Sequence, residues 1–507
     1  MKIALRNFLA TLRRYKVSSL LNIVGLTLAF TASYIILAQV RWEMTYNRTL
    51  KDSDRIYLVE SVDWYEPGAW QSWLCRPMVE RFITSTSAVG AGGCTWGGFG
   101  PGVVLRENSS KMGYDRFDIS LGSVSLPLLD VFDFQNVAGD VHDLKRANSV
   151  IISRSAAEQL GVGVGDMLWC NTDQPSAENA REVVAVFEDF PANSLLGECK
   201  MAMDLGDQSL DDHSEWSYNY YVRLQPEADI RQVIEEWKKV FMEMYPGEAN
   251  EDGQLETEPF RLSCIRDLYF ETDSRVPCAQ GSLVTTYTLL GIALLVIALA
   301  FINFVNFFFA LVPVRIRTVN TFKVFGAPNS SLRFSFVFEA VGLVVIALFL
   351  AWYLSFAIQG TELASYISAP LSLAQNLPVI GILLVVALAM AFVASLYPAW
   401  YITSFPPALV IKGSFSGSVG GRRLRILLLG FQFTISMGLI IATGFILRQH
   451  NYMLRQDMGF NRNNLMAVQL SKKAALSYDA LRDKLLADTR VVDITAADGR
   501  LVNPSRM

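Results

Sequence analysis

Five uninterrupted apolar runs divide the chain: residues 17–40, 286–312, 334–357, 377–400 and 424–447. Each is long enough to cross a bilayer as an α-helix, which takes about 20 residues. Between the first and second runs lies a long polar stretch with a different rhythm. Strand-like runs (RIYLVESV, SVIIS, EVVAVF, NYYVRLQ) are interleaved there with helix-like runs (QSWLCRPMVERFIT, SRSAAEQLG, DIRQVIEEWKKVFMEMY). The pattern predicts an α-helical integral membrane protein with about five transmembrane helices and a large extracytoplasmic α+β domain, built in two lobes. Ser153, with Ser155 as the alternative, is expected to cap the helix before AAEQL, and Gly161 to stop it. The stretches GGCTWGGFGPG (92–102) and NTDQPSAENA (171–180) read as turn-rich surface loops.

Charge orients these elements. The flank before the first run carries Lys2, Arg6, Arg13, Arg14 and Lys16. The loop between runs two and three carries Arg315, Arg317, Lys323 and Arg333, and the flank between runs four and five carries Lys412, Arg422, Arg423 and Arg425. None of the three contains an acid, whereas 358–376 has Glu362 and no base. Basic loops stay in the cytoplasm, so the polar domain lies outside it. The first run is too long for a signal-peptide core and no small-residue cleavage site follows, so it reads as a retained anchor. The expected organisation is a cytoplasmic amphipathic helix (1–16) on the inner membrane face, span one (17–44) and the outer domain (45–283). Spans two to four (284–412) follow, with a cytoplasmic loop at 313–333, then a linker (413–423), span five (424–447) and a further outer segment (448–507).

That last segment matters because RRYKVSSLLNIVG…DRIYLVE resembles RRLRILLLGFQFT…NNLMAVQL, so span five restarts the module that span one began. The chain is expected to stop inside a second, incomplete outer domain.

Composition adds exclusions. Of 507 residues 51% are hydrophobic and 18% charged, mean hydropathy is +0.29 and the net charge is −4. Nothing there points to nucleic acid. No GxxxxGK[ST] or HExxH occurs, and the only histidines are His142, His213 and His450. The acidic DDHSE at 211–215 reads as a solvated loop, so no catalytic, cofactor or metal residue is expected. All six cysteines, Cys75, Cys94, Cys170, Cys199, Cys264 and Cys278, fall in the outer domain. They are candidate disulfide partners, with buried free thiols the alternative. Inside the spans, Asn303, Asn306 and Glu339 are the informative polar residues, read as interhelical hydrogen-bonding groups.

The cytoplasmic loop is the most specific feature. Ile316, Val319, Phe322 and Phe325 recur every three residues among Arg315, Arg317 and Lys323. Gly326 fits a helix stop, and Asn329 or Ser330 a cap for the next helix. The spacing predicts a short amphipathic helix along the membrane that offers a docking knob to a cytoplasmic partner.

Several segments together resemble the MacB/FtsX-type permease family of ABC transporters. They are TLRRYKVSSLLNIVGLTLAF with DRIY after the span; LPLLDVFDFQNVAGD, SVIISRSAAEQLG and VVAVFEDFPANS in the outer domain; R-x-R…K-V-F-G-A with Glu339 downstream; and LYPAWYITSFPPALVIKG at 396–413. The chain departs from the family pattern at Thr318, where an acid is common, and at Phe322, where a base is. The resemblance implies a MacB-type outer domain in the periplasm and a bacterial inner-membrane location. It implies a second permease module or a homodimer, and a separate ABC ATPase that binds ATP and Mg and docks on Arg315, Arg317, Val319, Phe322, Lys323, Gly326 and Ala327. It extends to a periplasmic adaptor or outer-membrane channel as further partners. The function implied is ATP-driven export, efflux or lipoprotein extraction by mechanotransmission. The alternative is a non-transporting regulator of a cell-wall hydrolase or sensor, and a structural anchor using no ATP is a third reading.

Overall fold

The structure is a computed structural model. It describes residues 8, 10, 12–63, 68–108, 113–172, 174–248, 255, 258–275, 278–404, 419–456, 465–466, 468, 470 and 472–496. The chain divides into two units, residues 1–436 and 437–507.

Among the described residues five helices are long and apolar enough to cross a membrane. In the first unit these are α1 (Lys16–Met44), α2 (Leu283–Val324), α3 (Asn329–Gln359) and α4 (Leu377–Ser404). The fifth, α5 (Val419–Arg455), belongs in part to each unit. Around α1, a packed seam of Leu26, Phe30 and Tyr34 meets Phe304 and Phe308 of α2, Leu343 and Ala347 of α3, and Leu383 and Ala387 of α4. Small residues let the backbones close up, as membrane helices without a hydrophobic driving force require. Gly342 is one such point, because an added Cβ would lie 3.1 Å from the Phe8 ring. Of the predicted N-terminal amphipathic helix only residues 8, 10 and 12–16 are described, and Phe8 is buried in this seam.

Between α1 and α2 stands one 13-stranded mixed sheet. Its strands are β1 (Ile56–Val62), β2 (Trp70–Gln71), β3 (Trp73–Leu74), β4 (Val89–Glu107), β5 (Tyr114–Val124), β6 (Asn136–Gly139) and β7 (Ser149–Ser153). They continue with β8 (Met167–Cys170), β9 (Ala180–Phe187), β10 (Met201–Asp204), β11 (Tyr218–Leu224), β12 (Phe260–Cys264) and β13 (Ser274–Arg275). The order is β13-β2-β1-β11-β4-β5-β10-β7-β9-β6. One continuous sheet runs through the whole outer domain. It carries three apolar cores, and successive residues serve different ones. In β7, Val150 and Ile152 enter one cluster and Ile151 another. A strand covered on both faces reads as an unbroken apolar run, and SVIIS is buried at every position. The third core packs the helix Ile230–Met244 on the sheet through Trp237, whose ring stacks 5.2 Å from Phe82.

Ser153 caps the helix Arg154–Leu160, its Oγ accepting from the Ala156 amide, and Gly161 ends it at φ +63°. The expected loop 92–102 is instead part of β4. Gly97 and Gly98 take positive φ at a bulge between Trp96 and Gly100, and the ladder to β5 resumes beyond. Glycine inside a strand marks a bulge as readily as a turn.

The six cysteines form no disulfide. Cys75 and Cys94 sit in the core under Trp237, Cys170 in the core behind β7, and Cys199 in the central core, each filled by apolar neighbours. Burial pushes the Cys94 and Cys170 thiols up to about 11 and Cys278 to about 12. The Cys264 thiol donates to the Ser53 carbonyl at 3.6 Å.

The repeat is matched by helix α5, and half of the expected strand after it, residues 463, 464, 467 and 469, lies outside the described residues. Residues 465, 466, 468 and 470 carry no strand. β1 itself is held between β11, β12 and β2.

Candidate functional site

The loop between spans two and three is not a separate helix lying along the membrane. Helix α2 runs without interruption through position 313 to Val324, 42 residues, or about 63 Å at 1.5 Å per residue. That is roughly twice the hydrocarbon thickness, so one rod joins the outer domain to the cytoplasmic tip. It ends as predicted. Gly326 sits at φ +88°, its amide donates to the Lys323 carbonyl at 2.9 Å, and the Ala327 amide donates to Phe322 at 3.0 Å. This paired closure needs a residue at ease in the left-handed region. The next helix is preceded by Pro328, with no side-chain cap, so neither Asn329 nor Ser330 plays the expected part. Proline supplies a fixed φ where a helical amide is not required.

The three-residue stripe splits in two. Ile316 and Val319 are buried, packed with Phe336 of α3 and Ala399 and Ile402 of α4. Phe322, Val324 and Phe325 are exposed, Phe325 by 84%. The basic residues turn inward. Arg315 makes two charge-assisted bonds to Glu339, Nη1 to Oε2 at 2.6 Å and Nη2 to Oε1 at 2.5 Å, and its guanidinium lies 5.5 Å from the Phe336 ring. Both partners are buried, with side-chain exposures of 11% and 8%. Lys323 Nζ donates to the Thr403 carbonyl at 2.5 Å, where a cation suits the C-terminal end of α4. Of the predicted docking residues, then, Phe322, Gly326 and Ala327 form the tip, while Arg315, Val319 and Lys323 brace it. The side chain of Arg317 lies outside the described residues.

Sequence reasoning missed the other half of the brace. Arg333 Nε donates to Thr403 Oγ1 at 2.9 Å and its guanidinium covers Trp400 at 4.8 Å. The signal was present in the segment 396–413, of which residues 405–413 lie outside the described residues. Glu339 makes the expected interhelical hydrogen bonds, to Arg315 of α2. Asn303 is exposed with its Nδ2 3.3 Å from a Cβ built on Gly25, and Asn306 is buried without a partner.

At the domain end of the rod, Glu43 of α1 accepts from Gln39 at 2.8 Å and from the Thr286 hydroxyl of α2. Trp42 and Tyr46 pack edge-on, with ring centroids 5.5 Å apart, and Tyr46 stacks on Tyr269 at 4.6 Å. Asn47, at φ +59°, donates to the Ile265 carbonyl at 2.6 Å and accepts from the Leu195 amide at 2.7 Å. Asparagine tolerates that backbone and spans both chains at once. The exits of α1 and α2 and the base of the domain thus form one packed joint. Among the described residues no group of three or more His, Cys, Asp or Glu side chains could hold a metal ion.

These features define a membrane protein in which a large extracytoplasmic domain is carried on two long helices. A model of the MacB-like periplasmic core domain matches residues 19–240, and a model of the FtsX-like permease C-terminal domain matches residues 290–407. The chain thus carries a MacB-like periplasmic core domain and an FtsX-like permease domain. No curated protein matches it. Three solved structures are similar. A permease-protein domain from Porphyromonas gingivalis is 20% identical, covering 47% of this chain and 99% of that one, with a TM-score of 0.34. The extracellular domain of the ABC-type transporter YknZ from Gram-positive bacteria is 14% identical (41% and 98% covered, TM-score 0.28). The periplasmic region of MacB from Actinobacillus actinomycetemcomitans is 9% identical (44% and 92% covered, TM-score 0.30).

Proposed function

We propose that this chain is the permease subunit of an ATP-driven transporter of the bacterial inner membrane. It receives motion from a separate ABC ATPase, which holds the ATP and Mg, and passes it to a periplasmic domain for export, efflux or lipoprotein extraction. The observation that carries this is α2: a single helix with an exposed apolar tip at one end and the packed domain joint at the other. Three exposed apolar side chains, Phe322, Val324 and Phe325, cap a helix that is otherwise braced by its own bundle. An aromatic knob of this kind suits a pocket on a protein partner. A rigid rod displaced at its tip moves the joint with it, whereas a hinged loop would absorb the displacement.

The test is reconstitution with the co-expressed ATPase. Phe325→Asp is expected to abolish stimulation of ATP hydrolysis while membrane insertion is unchanged. Lys323→Glu, which removes the brace to Thr403, is expected to reduce it. Normal stimulation in both variants would rule out this tip as the coupling element.

A further inference from the structure

After α3 ends at Gln359, the chain turns through Gly360 into a short 3-10 turn, Glu362–Tyr366. At three residues per turn, positions i and i+3 eclipse, so this turn has three ridges. Each meets a different environment. Ala364 and Ile367 are half-buried against the protein. Glu362 and Ser365 are exposed and polar, the serine hydroxyl donating to the Glu362 carbonyl at 2.6 Å. Leu363 and Tyr366 are exposed and apolar, by 63% and 87%.

Two large apolar side chains eclipsed on an exposed ridge need a medium. Helix α3 supplies the direction. Its outward face carries Phe349, Tyr353 and Phe356, spaced four and three residues apart and each about two-thirds exposed, on a helix apolar enough to span a bilayer. The Leu363–Tyr366 ridge begins seven residues after Phe356, where the polar residues Gln359 and Glu362 mark the edge of the hydrocarbon. Tyrosine and leucine together suit that boundary.

The segment beyond the turn is bound to span one. Tyr34 donates to the Leu371 carbonyl at 3.0 Å, Arg41 donates to Gln375 at 3.0 Å, and Gln39 Oε1 accepts from the Ala369 amide at 3.1 Å. We propose that the Leu363–Tyr366 ridge inserts into the headgroup boundary of the bilayer on the side of the large domain. There it anchors the loop, and with it the outer end of α1, to the lipid surface. The contact gives span one a fixed depth on that side, independently of what drives the rod.

The test uses full-length protein in liposomes of phosphatidylethanolamine and phosphatidylglycerol. A nitroxide is attached through p-acetylphenylalanine at Tyr366, and in separate samples at Ser365 and Phe349, so that the native cysteines are left alone. At 366 the ratio of oxygen to nickel-chelate accessibility should be several-fold above that at 365 and below that at 349. A ratio at 366 equal to that at 365 would place the ridge in water and overturn the proposal. Low accessibility to both reagents at 366 would mark a protein partner instead, and would overturn it equally. If the label at 366 prevents folding, the same readings at Leu363 decide.

Discussion

The Arg315–Glu339 pair gives the sharpest prediction. The two charges are buried where α2 meets α3, and the guanidinium fork satisfies both carboxylate oxygens. Glu339→Gln removes the negative charge and leaves a buried guanidinium with half its bonds. Breaking one side of a buried pair costs about 3–5 kcal/mol, because the remaining charge stays desolvated and unpaired. Replacing both partners by apolar residues of similar volume, Arg315→Met with Glu339→Leu, should recover most of that loss, since the desolvation of both charges disappears with them. The assay is reversible unfolding in bicelles, measured for both single variants and the double. The double-mutant coupling should be large and of stabilising sign. A loss below about 1 kcal/mol in the single variants would mean that the pair is hydrated, and the reasoning would fail. It would fail as well if the double variant were no better than the worse single. The recovered double variant also separates holding from transmitting. With stability restored but the fork gone, α2 can rotate against α3, and stimulation of the ATPase is expected to fall although the fold does not.

Other outcomes follow from the outer domain and the tip. Trp237→Ala should cost about 3–5 kcal/mol, as expected for emptying the site of a fully buried large aromatic, read by thermal unfolding of the full chain. Gly326→Ala should destabilise by about 1 kcal/mol or more, because its φ of +88° is strained for any residue with a Cβ; loss of helicity at the α2 terminus by hydrogen exchange checks it. Glu271 shares a hydrogen bond with Asp273 and is partly buried, which outweigh the nearby Arg261 and raise its carboxyl to about 7. The folded domain therefore favours the protonated acid, and that contribution is complete below about pH 4 and is lost as pH rises through about 7. Glu271→Gln should flatten the fall in stability between about pH 4 and pH 7; an unchanged slope would count against the shared proton. Thiol titration of protein from its native compartment should give six reactive groups only after unfolding, and fewer than six in denaturant would restore a disulfide.

How far the sequence was legible depends on which force decided each feature. The spans, the outer α+β domain and the cap at Ser153 were readable because hydropathy and local capping chemistry act over a few residues. The stop at Gly326 was readable for the same reason, since only glycine meets its backbone demand cheaply. What was misread turned on long-range contacts. Pro313 and the bases after it suggested a loop, and proline in a helix interior normally breaks it. In a packed membrane bundle neighbouring helices sustain a proline-containing helix, and here Ile316, Val319 and the Arg315–Glu339 pair tie α2 to α3 and α4. Those partners lie 20 to 80 positions away, beyond the reach of any local pattern. The same holds for the cysteines. Their number and compartment suggested pairing, while Cys75, Cys94, Cys170 and Cys199 are divided among three cores.

The correction changes the mechanical reading as well as the geometry. A surface-lying helix joined by a loop would need its docking bases exposed, and any push from a partner would be spent in bending the joint. With Arg315 and Lys323 turned inward, the bases become braces, and in the proposed coupling the contact passes to Phe322 and Phe325. The energy of docking then comes from burying aromatic area, and the stiffness comes from buried charge. A variant that alters one should leave the other intact: Phe325→Asp should abolish stimulation with normal stability, and Glu339→Gln should lower stability first. Parallel losses of both properties in both variants would show that tip and brace are a single structural element.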